Sequence, residues 1–237
     1  MVKQYMKKIL NLFLGRGAGA GSPAVGKINF GDFGRLTPIS DDWGFKRGGP
    51  VDRVFIEGFL SQHSPDIKGH ALEVLDSKYL DRYGAGKVNR KDILDINPEN
   101  PNATIVTDLS KADSVPSGVF DCFVFTQTLH LIYDLHAAMG HIYRILKPGG
   151  VLLMTVPGIS HFPCKNPRYW AFTEFSVRRL LEEQFPKDNI MIEVHGNVLA
   201  SAAFLYGVGA GELTKDQYDF RDRNYQMIIT ARAQKSG

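Results

Sequence analysis

Apolar positions along the chain fall into two rhythms: short unbroken runs of β-branched, aromatic and aliphatic residues, and intervening stretches in which they recur every three or four positions. The clearest alternation spans Phe120 to Pro157, FDCFVFTQTLHLIYDLHAAMGHIYRILKPGGVLLMTVP. FDCFVFT is a run suited to a strand buried on both faces. Leu135, Met139, Ile142 and Ile145 then follow helical spacing as far as Leu146, and Lys147, Pro148 and two glycines are expected to end the helix before VLLMTV begins. A strand, helix and strand in this order make a right-handed parallel crossover, and sheets built that way hold ligands beyond the carboxyl ends of their strands. Thr126 to His130 and Pro157 to His161 therefore flank the expected site.

The same reading places a first strand at HALEVLD, a second at KVNRKDILDIN, a third at ATIVTDL, a fourth at FDCFVFT and a fifth at GGVLLMTV. Two later strands, NIMIEVHG and NYQMIITARA, flank a small-residue helix from Val198 to Tyr206. Ahead of the first strand, Pro50 suits the opening turn of a helix to about His63, with Val51, Val54, Phe55 and Phe59 as its inner face. A further helix begins near Ser176. At the amino end, Tyr5, Met6, Ile9, Leu10, Phe13 and Leu14 form an amphipathic stripe, followed by a glycine-rich connector, GRGAGAGSPAVG, with no strand before it to make a phosphate-binding loop. The expected organisation is thus an N-terminal helix and linker over residues 1–49 and one α/β domain over residues 50–237.

Length and charge narrow the function only modestly. A chain of 237 residues can bury the core of one α/β domain. The formal charge of +3 and the absence of a basic stripe interleaved with aromatics argue against a nucleic-acid partner. The two cysteines, Cys122 and Cys164, lack the spacing of a disulfide framework or of a metal site, so no metal is expected and a reducing, cytoplasmic setting fits. The first helix is basic but lacks a long apolar core, so neither secretion nor a membrane span is supported. It is expected to pack on its own domain or on a second copy of the chain in a homodimer, with peripheral contact to a membrane surface as the other reading.

The segments FDCFVFTQTLHLIYD, RILKPGG and LLMTVPG resemble the second half of a class I S-adenosylmethionine-dependent methyltransferase, of the group acting on small molecules and glycans. PRYWAFT, GNVLASAAFLYG and the terminal YQMIITARAQK extend the resemblance over most of the chain beyond the first few dozen residues. It implies a single Rossmann-like sheet of seven mostly parallel strands with helices on both faces, a closing antiparallel strand and an extra N-terminal helix. It also implies S-adenosylmethionine as cofactor and O-methylation of a sugar or other small-molecule hydroxyl in a glycan or natural-product pathway.

The resemblance carries onto particular residues. Glu73 matches the acid of the first strand, and Asp76 and Ser77 follow where the amino and carboxylate groups of the cofactor are met. Asp95 stands at the second strand's tip, where two carboxylate oxygens can receive both ribose hydroxyl protons. Asp108, with Leu109 after it, stands where the adenine amino group is received. Thr126 and Gln127 would lie under the cofactor, and Arg47 or Arg53 could grip its carboxylate with paired hydrogen bonds. For an oxygen nucleophile a histidine base suits neutral pH, and His130 ranks before His161 and His195. Tyr169 and Trp170 offer a flat wall for a sugar or ring acceptor.

One departure cuts against the resemblance. The turn after the first strand reads ALEVLDSKYLDRYG, with Leu75, Ser77 and Tyr79 where glycines would let backbone approach the cofactor. That leaves a second expectation, a catalytically inactive methyltransferase-fold binding or scaffold protein. A dehydrogenase using another nucleotide is disfavoured by the same missing fingerprint.

Overall fold

The computed structural model describes residues 22–163 and 167–237. The stripe from Tyr5 to Leu14, most of the connector and Cys164 lie outside the described residues. Two compact units separate at Thr37 and Pro38, and everything below concerns the second, Pro38–Gly237.

Its elements run α1 (Val51–Gln62), β1 (Gly69–Val74), α2 (Lys78–Tyr83), β2 (Val88–Asp95), β3 (Ile105–Val106) and β4 (Phe120–Thr126). There follow α3 (Leu135–Ile145), β5 (Leu146–Pro157), α4 (Glu174–Glu182), β6 (Ile190–His195), α5 (Val198–Leu205), α6 (Lys215–Asp219) and β7 (Ile228–Gln234). The strands form one seven-stranded sheet in the order β3-β2-β1-β4-β5-β7-β6. The first five strands of that order pair in parallel, and β7 closes the sheet antiparallel to both β5 and β6. This is the Rossmann-like mixed sheet that the hydrophobic pattern and the resemblance lead one to expect. Its order reverses between β1 and β4, the place where such sheets open a crevice at their carboxyl edge.

The centre is dry. Phe123 and Phe125 of β4 and Leu152, Met154 and Val156 of β5 are fully buried, and Met139, Ile142 and Ile145 of α3 pack into the same core. Each such side chain contributes roughly 1.5–3 kcal/mol relative to exposure. Asp134 caps α3 by accepting the Ala137 N–H (3.0 Å), and Thr173 and Ser176 cap α4 reciprocally.

Three local features differ from the pattern's expectation. Lys147, Pro148, Gly149 and Gly150 do not separate helix from strand: β5 already begins at Leu146, which pairs with Phe120, and the register shifts before Cys122 meets Val151. Gly149, at φ +76°, absorbs the irregularity. The third strand is only two residues long, because Asp108 turns the chain by accepting the Ser110 N–H (2.9 Å) and starting a single 3-10 turn. In α1 the inner face includes Asp52 and Ile56, whereas Val54 is half out in solvent. That phase carries a carboxylate into the interior.

Candidate functional site

The turn after β1 shows how the chain manages without its expected glycines. Leu75 adopts φ +75°, the left-handed backbone that glycine favours, and its N–H donates to the Leu94 carbonyl (3.0 Å). Its side chain is 62 % exposed, so it leaves the turn rather than filling it. Tyr79 is buried beside Tyr83 at the start of α2. The Glu73 carboxylate, also buried, accepts the N–H groups of Tyr79 (3.1 Å) and Leu80 (2.8 Å) and so holds the turn against the helix. Burial pushes its carboxyl up to about 8, against the pull of those two donors. Asp76 accepts the Lys78 N–H (3.0 Å), and the Ser77 hydroxyl donates to Asp81 (2.7 Å).

At the neighbouring tips, Asp95 is buried; Oδ1 accepts the Asn97 N–H (3.0 Å) and Oδ2 accepts from the Asn100 amide (2.6 Å). The same amide donates to the Leu75 carbonyl (2.8 Å), tying the β1 and β2 turns together. Asp108 spends Oδ1 on the Ser110 N–H and hydroxyl, and Leu109 is buried behind it. Between these carboxylates the edge is apolar and bare: Ile96 is 68 % and Val106 49 % exposed, beside Leu75.

On the other side of the switch point lies a cleft of about 270 Å³. Its polar lining is Asp52 and Arg53 from the first turn of α1, Gln127 and His130 after β4, and Ser160 and Arg168 after β5. Trp43, Phe45 and Phe204 supply apolar wall. Gln127 sits at φ +48°, fixed by its N–H donating to the Thr155 carbonyl (2.8 Å) and its side-chain amide donating to the Thr155 hydroxyl (3.2 Å). Thr126 precedes it, half-buried, with its carbonyl taking the Thr128 hydroxyl (2.9 Å).

Three buried polar atoms of this cleft have no hydrogen-bond partner among the described residues: Asp52 Oδ1, His130 Nδ1 and Arg168 Nε. Such groups cost roughly 1–3 kcal/mol each when left unpaired. Burial raises the Asp52 carboxyl above its ordinary range and lowers His130 to about 3, so the imidazole is neutral. Arg168 donates through Nη1 to the Ser160 hydroxyl (2.8 Å) and the His161 carbonyl (2.7 Å). The Arg53 side chain lines the cleft without a hydrogen bond or ion pair among the described residues, while Arg47 is gripped by Glu212 through both its Nε (3.0 Å) and Nη2.

The remaining sequence candidates separate. His130 is in the cleft wall, whereas the His161 ring stacks on Trp43 with centroids 4.4 Å apart and contributes its carbonyl to Arg168. His195 is buried at the end of β6 against the Thr230 hydroxyl (3.0 Å). Tyr169 and Trp170 join Tyr133 in an exposed aromatic rim beside His130, whose carbonyl accepts the Tyr169 N–H (2.9 Å). The pattern did not single out Asp52 and Arg168. Their signal was a charged residue at an inner helical position and one beside the aromatic pair, neither distinguishable from surface without the fold.

Comparison with known proteins agrees with this architecture. A family model described as a methyltransferase domain matches residues 67–192. An S-adenosylmethionine-dependent methyltransferase from Archaeoglobus fulgidus superposes with a TM-score of 0.53 at 12% identity, over 77% of this chain and 94% of that one. A phosphoethanolamine N-methyltransferase of Haemonchus contortus, solved with S-adenosylhomocysteine, gives 0.54 at 15% identity, over 80% and 54%. The [4+2]-cyclase SpnF gives 0.51 at 13% identity, over 77% of this chain and 80% of that one, so the fold is shared with other chemistry. In sequence, 81 residues are 27% identical to a polyketide synthase of Dictyostelium discoideum, covering 32% of this chain and 3% of that protein's length.

Proposed function

The chain belongs to the methyltransferase-domain family, and from that premise we propose that it transfers a methyl group from S-adenosylmethionine to a hydroxyl of a small molecule, a sugar or natural-product-type acceptor. The carrying observation is the cleft at the sheet's reversal point, with the unpartnered Asp52, His130 and Arg168 converging on it.

The residues at the β1 to β3 tips fit the cofactor. An ionised carboxylate offers about four acceptor positions, and Asp95 uses two, which leaves two for the ribose hydroxyls. Leu75 and Ile96 provide bare apolar surface for the base, and Asp108 keeps Oδ2 for its amino group. Arg53, unpaired at the cleft, is the cation for the carboxylate, the role that Arg47 cannot fill while Glu212 holds it. The left-handed Leu75 gives the backbone the bend that glycine would give, which favours an active site over a scaffold that has lost its cofactor.

When bound, S-adenosylmethionine supplies a methyl group activated by the sulfonium. The chain's own work is alignment and exclusion of water, which is where most of the acceleration of such a displacement lies. Neutral His130 accepts the acceptor's hydroxyl hydrogen bond at Nδ1 and aims its oxygen. Its low proton affinity makes it a poor store for the proton, which passes to Asp52, a carboxyl whose burial raises its affinity. Tyr169 and Trp170, with Tyr133, flank the entrance as the wall for a ring. The similarity of one segment to a polyketide synthase supports a small acceptor of that kind.

Calorimetric titration with S-adenosylhomocysteine tests the reading. Binding that weakens in Asp108→Ala is expected; no heat at millimolar ligand would overturn both the cofactor and the activity.

A further inference from the structure

Arg168 and Asp52 carry opposite charges into one cleft, and they do not pair with each other. The guanidinium is anchored on one side only: Nη1 donates to the Ser160 hydroxyl and the His161 carbonyl, while Nε and Nη2 make no hydrogen bond among the described residues. The Nε and Nη2 edge is the one whose two parallel N–H groups match the two oxygens of a carboxylate. In the same cleft, Asp52 Oδ1 and His130 Nδ1 lack donors. A cleft holding a cationic fork and two acceptors without donors is complementary to a molecule presenting both an anion and a hydroxyl.

Resting on the methyl-transfer reading, we propose that the acceptor is a ring-bearing hydroxy acid: its carboxylate docks on the Nε and Nη2 edge of Arg168, and its hydroxyl faces His130 and Asp52. The apolar walls of Trp43, Phe45 and Phe204 cover the ring. Arg53 lines the same cleft and its charge bears on both Asp52 and Tyr79, whereas Arg168 is fixed to the loop after β5. The single open Nε and Nη2 edge of Arg168 is matched by the two oxygens of one carboxylate.

The experiment saturates the protein with S-adenosylhomocysteine and titrates matched probes by ligand-observed NMR and thermal melting. The pairs are 4-hydroxybenzoate with 4-hydroxybenzamide, and trans-4-hydroxycyclohexanecarboxylate with its carboxamide; 4-hydroxyphenyl phosphate is the third charge state. At least one acid is expected to bind tenfold or more tighter than its amide. Arg168→Met removes that preference while S-adenosylhomocysteine still binds. Arg53→Met does the reverse, weakening S-adenosylhomocysteine and leaving the acid preference. Acids and amides binding alike or not at all, a preference surviving in Arg168→Met, or selective binding of the phosphate would each overturn the proposal. The wild-type comparison stands even if a variant misfolds, and loss of S-adenosylhomocysteine binding in the wild type sinks the methyl-transfer reading instead.

Discussion

Leu75 is where the chain departs most from a glycine-rich cofactor turn, and its backbone yields a quantitative prediction. A non-glycine residue at φ +75° carries roughly 1–2 kcal/mol of steric cost. Leu75→Ala keeps that cost and loses only the side chain's few contacts, since the side chain is 62 % exposed. Leu75→Gly loses the same contacts and relieves the strain, but adds unfolded-state freedom worth roughly 0.4–1 kcal/mol. The glycine variant should therefore exceed the alanine variant by about 0.5–1 kcal/mol. In a unit of this size that corresponds to a melting difference of roughly 1–4 °C. Urea unfolding at fixed pH, with calorimetric melting as a second reading, measures it. If the alanine variant is as stable as the glycine variant, the left-handed turn is wrong, and with it the reason for believing the backbone is bent to receive a cofactor. Both variants should still bind S-adenosylhomocysteine.

Three other outcomes follow from the site. His130 is depressed to about 3 by burial from an ordinary value near 6.5, so its stabilising neutral state is complete above pH 6.5 and is lost as pH falls toward 3. At pH 5 the loss is about 2 kcal/mol, and His130→Gln should flatten that part of the pH profile in urea melts; parallel profiles would refute it. Glu73 is raised to about 8, so its contribution is complete below pH 4.5 and declines as pH rises through 8. The stability advantage of wild type over Glu73→Gln should accordingly shrink between pH 5 and pH 8 in the same assay, and an advantage that grows would show the carboxylate to be ionised throughout. Asp95→Asn should weaken S-adenosylhomocysteine by roughly tenfold to a hundredfold in calorimetry, the loss of about 1.5–3 kcal/mol expected for hydrogen bonds to a charged group; unchanged affinity would move the ribose elsewhere.

What was legible in the sequence was what local periodicity encodes. FDCFVFT became β4 residue for residue, and α3 began at Leu135 as expected, because a strand buried on both faces and an amphipathic helix each write their period into consecutive letters. The short β3 was not legible, since its end is set by a side chain, Asp108, capturing the Ser110 N–H rather than by any change in hydropathy. On α1, Val51, Phe55 and Phe59 are inward as expected, but Val54 was included and Asp52 missed for a related reason: Val54 is apolar and Asp52 is charged, so hydropathy alone turns the aspartate outward. The pairing of Arg47, itself a sequence candidate, was not legible either, its partner Glu212 being 165 residues distant.

These failures gather at the site, and the physics requires it. A functional group in a cleft must be polar where the local rule demands apolar, and unpaired where the fold elsewhere satisfies its polar atoms. Asp52 breaks the first rule, and Asp52, His130 and Arg168 together break the second. Leu75 makes the complementary point. The missing glycines suggested a lost cofactor turn, yet a motif's glycine stands for a backbone angle, and a leucine held at φ +75° supplies the same angle. The inactive-scaffold reading rested on the letter. The left-handed backbone removes that support by keeping the bend while the chain bears its steric cost, and strain of this kind persists where surrounding contacts over-determine it, here the Leu94 carbonyl and the Asn100 amide on either side of the residue.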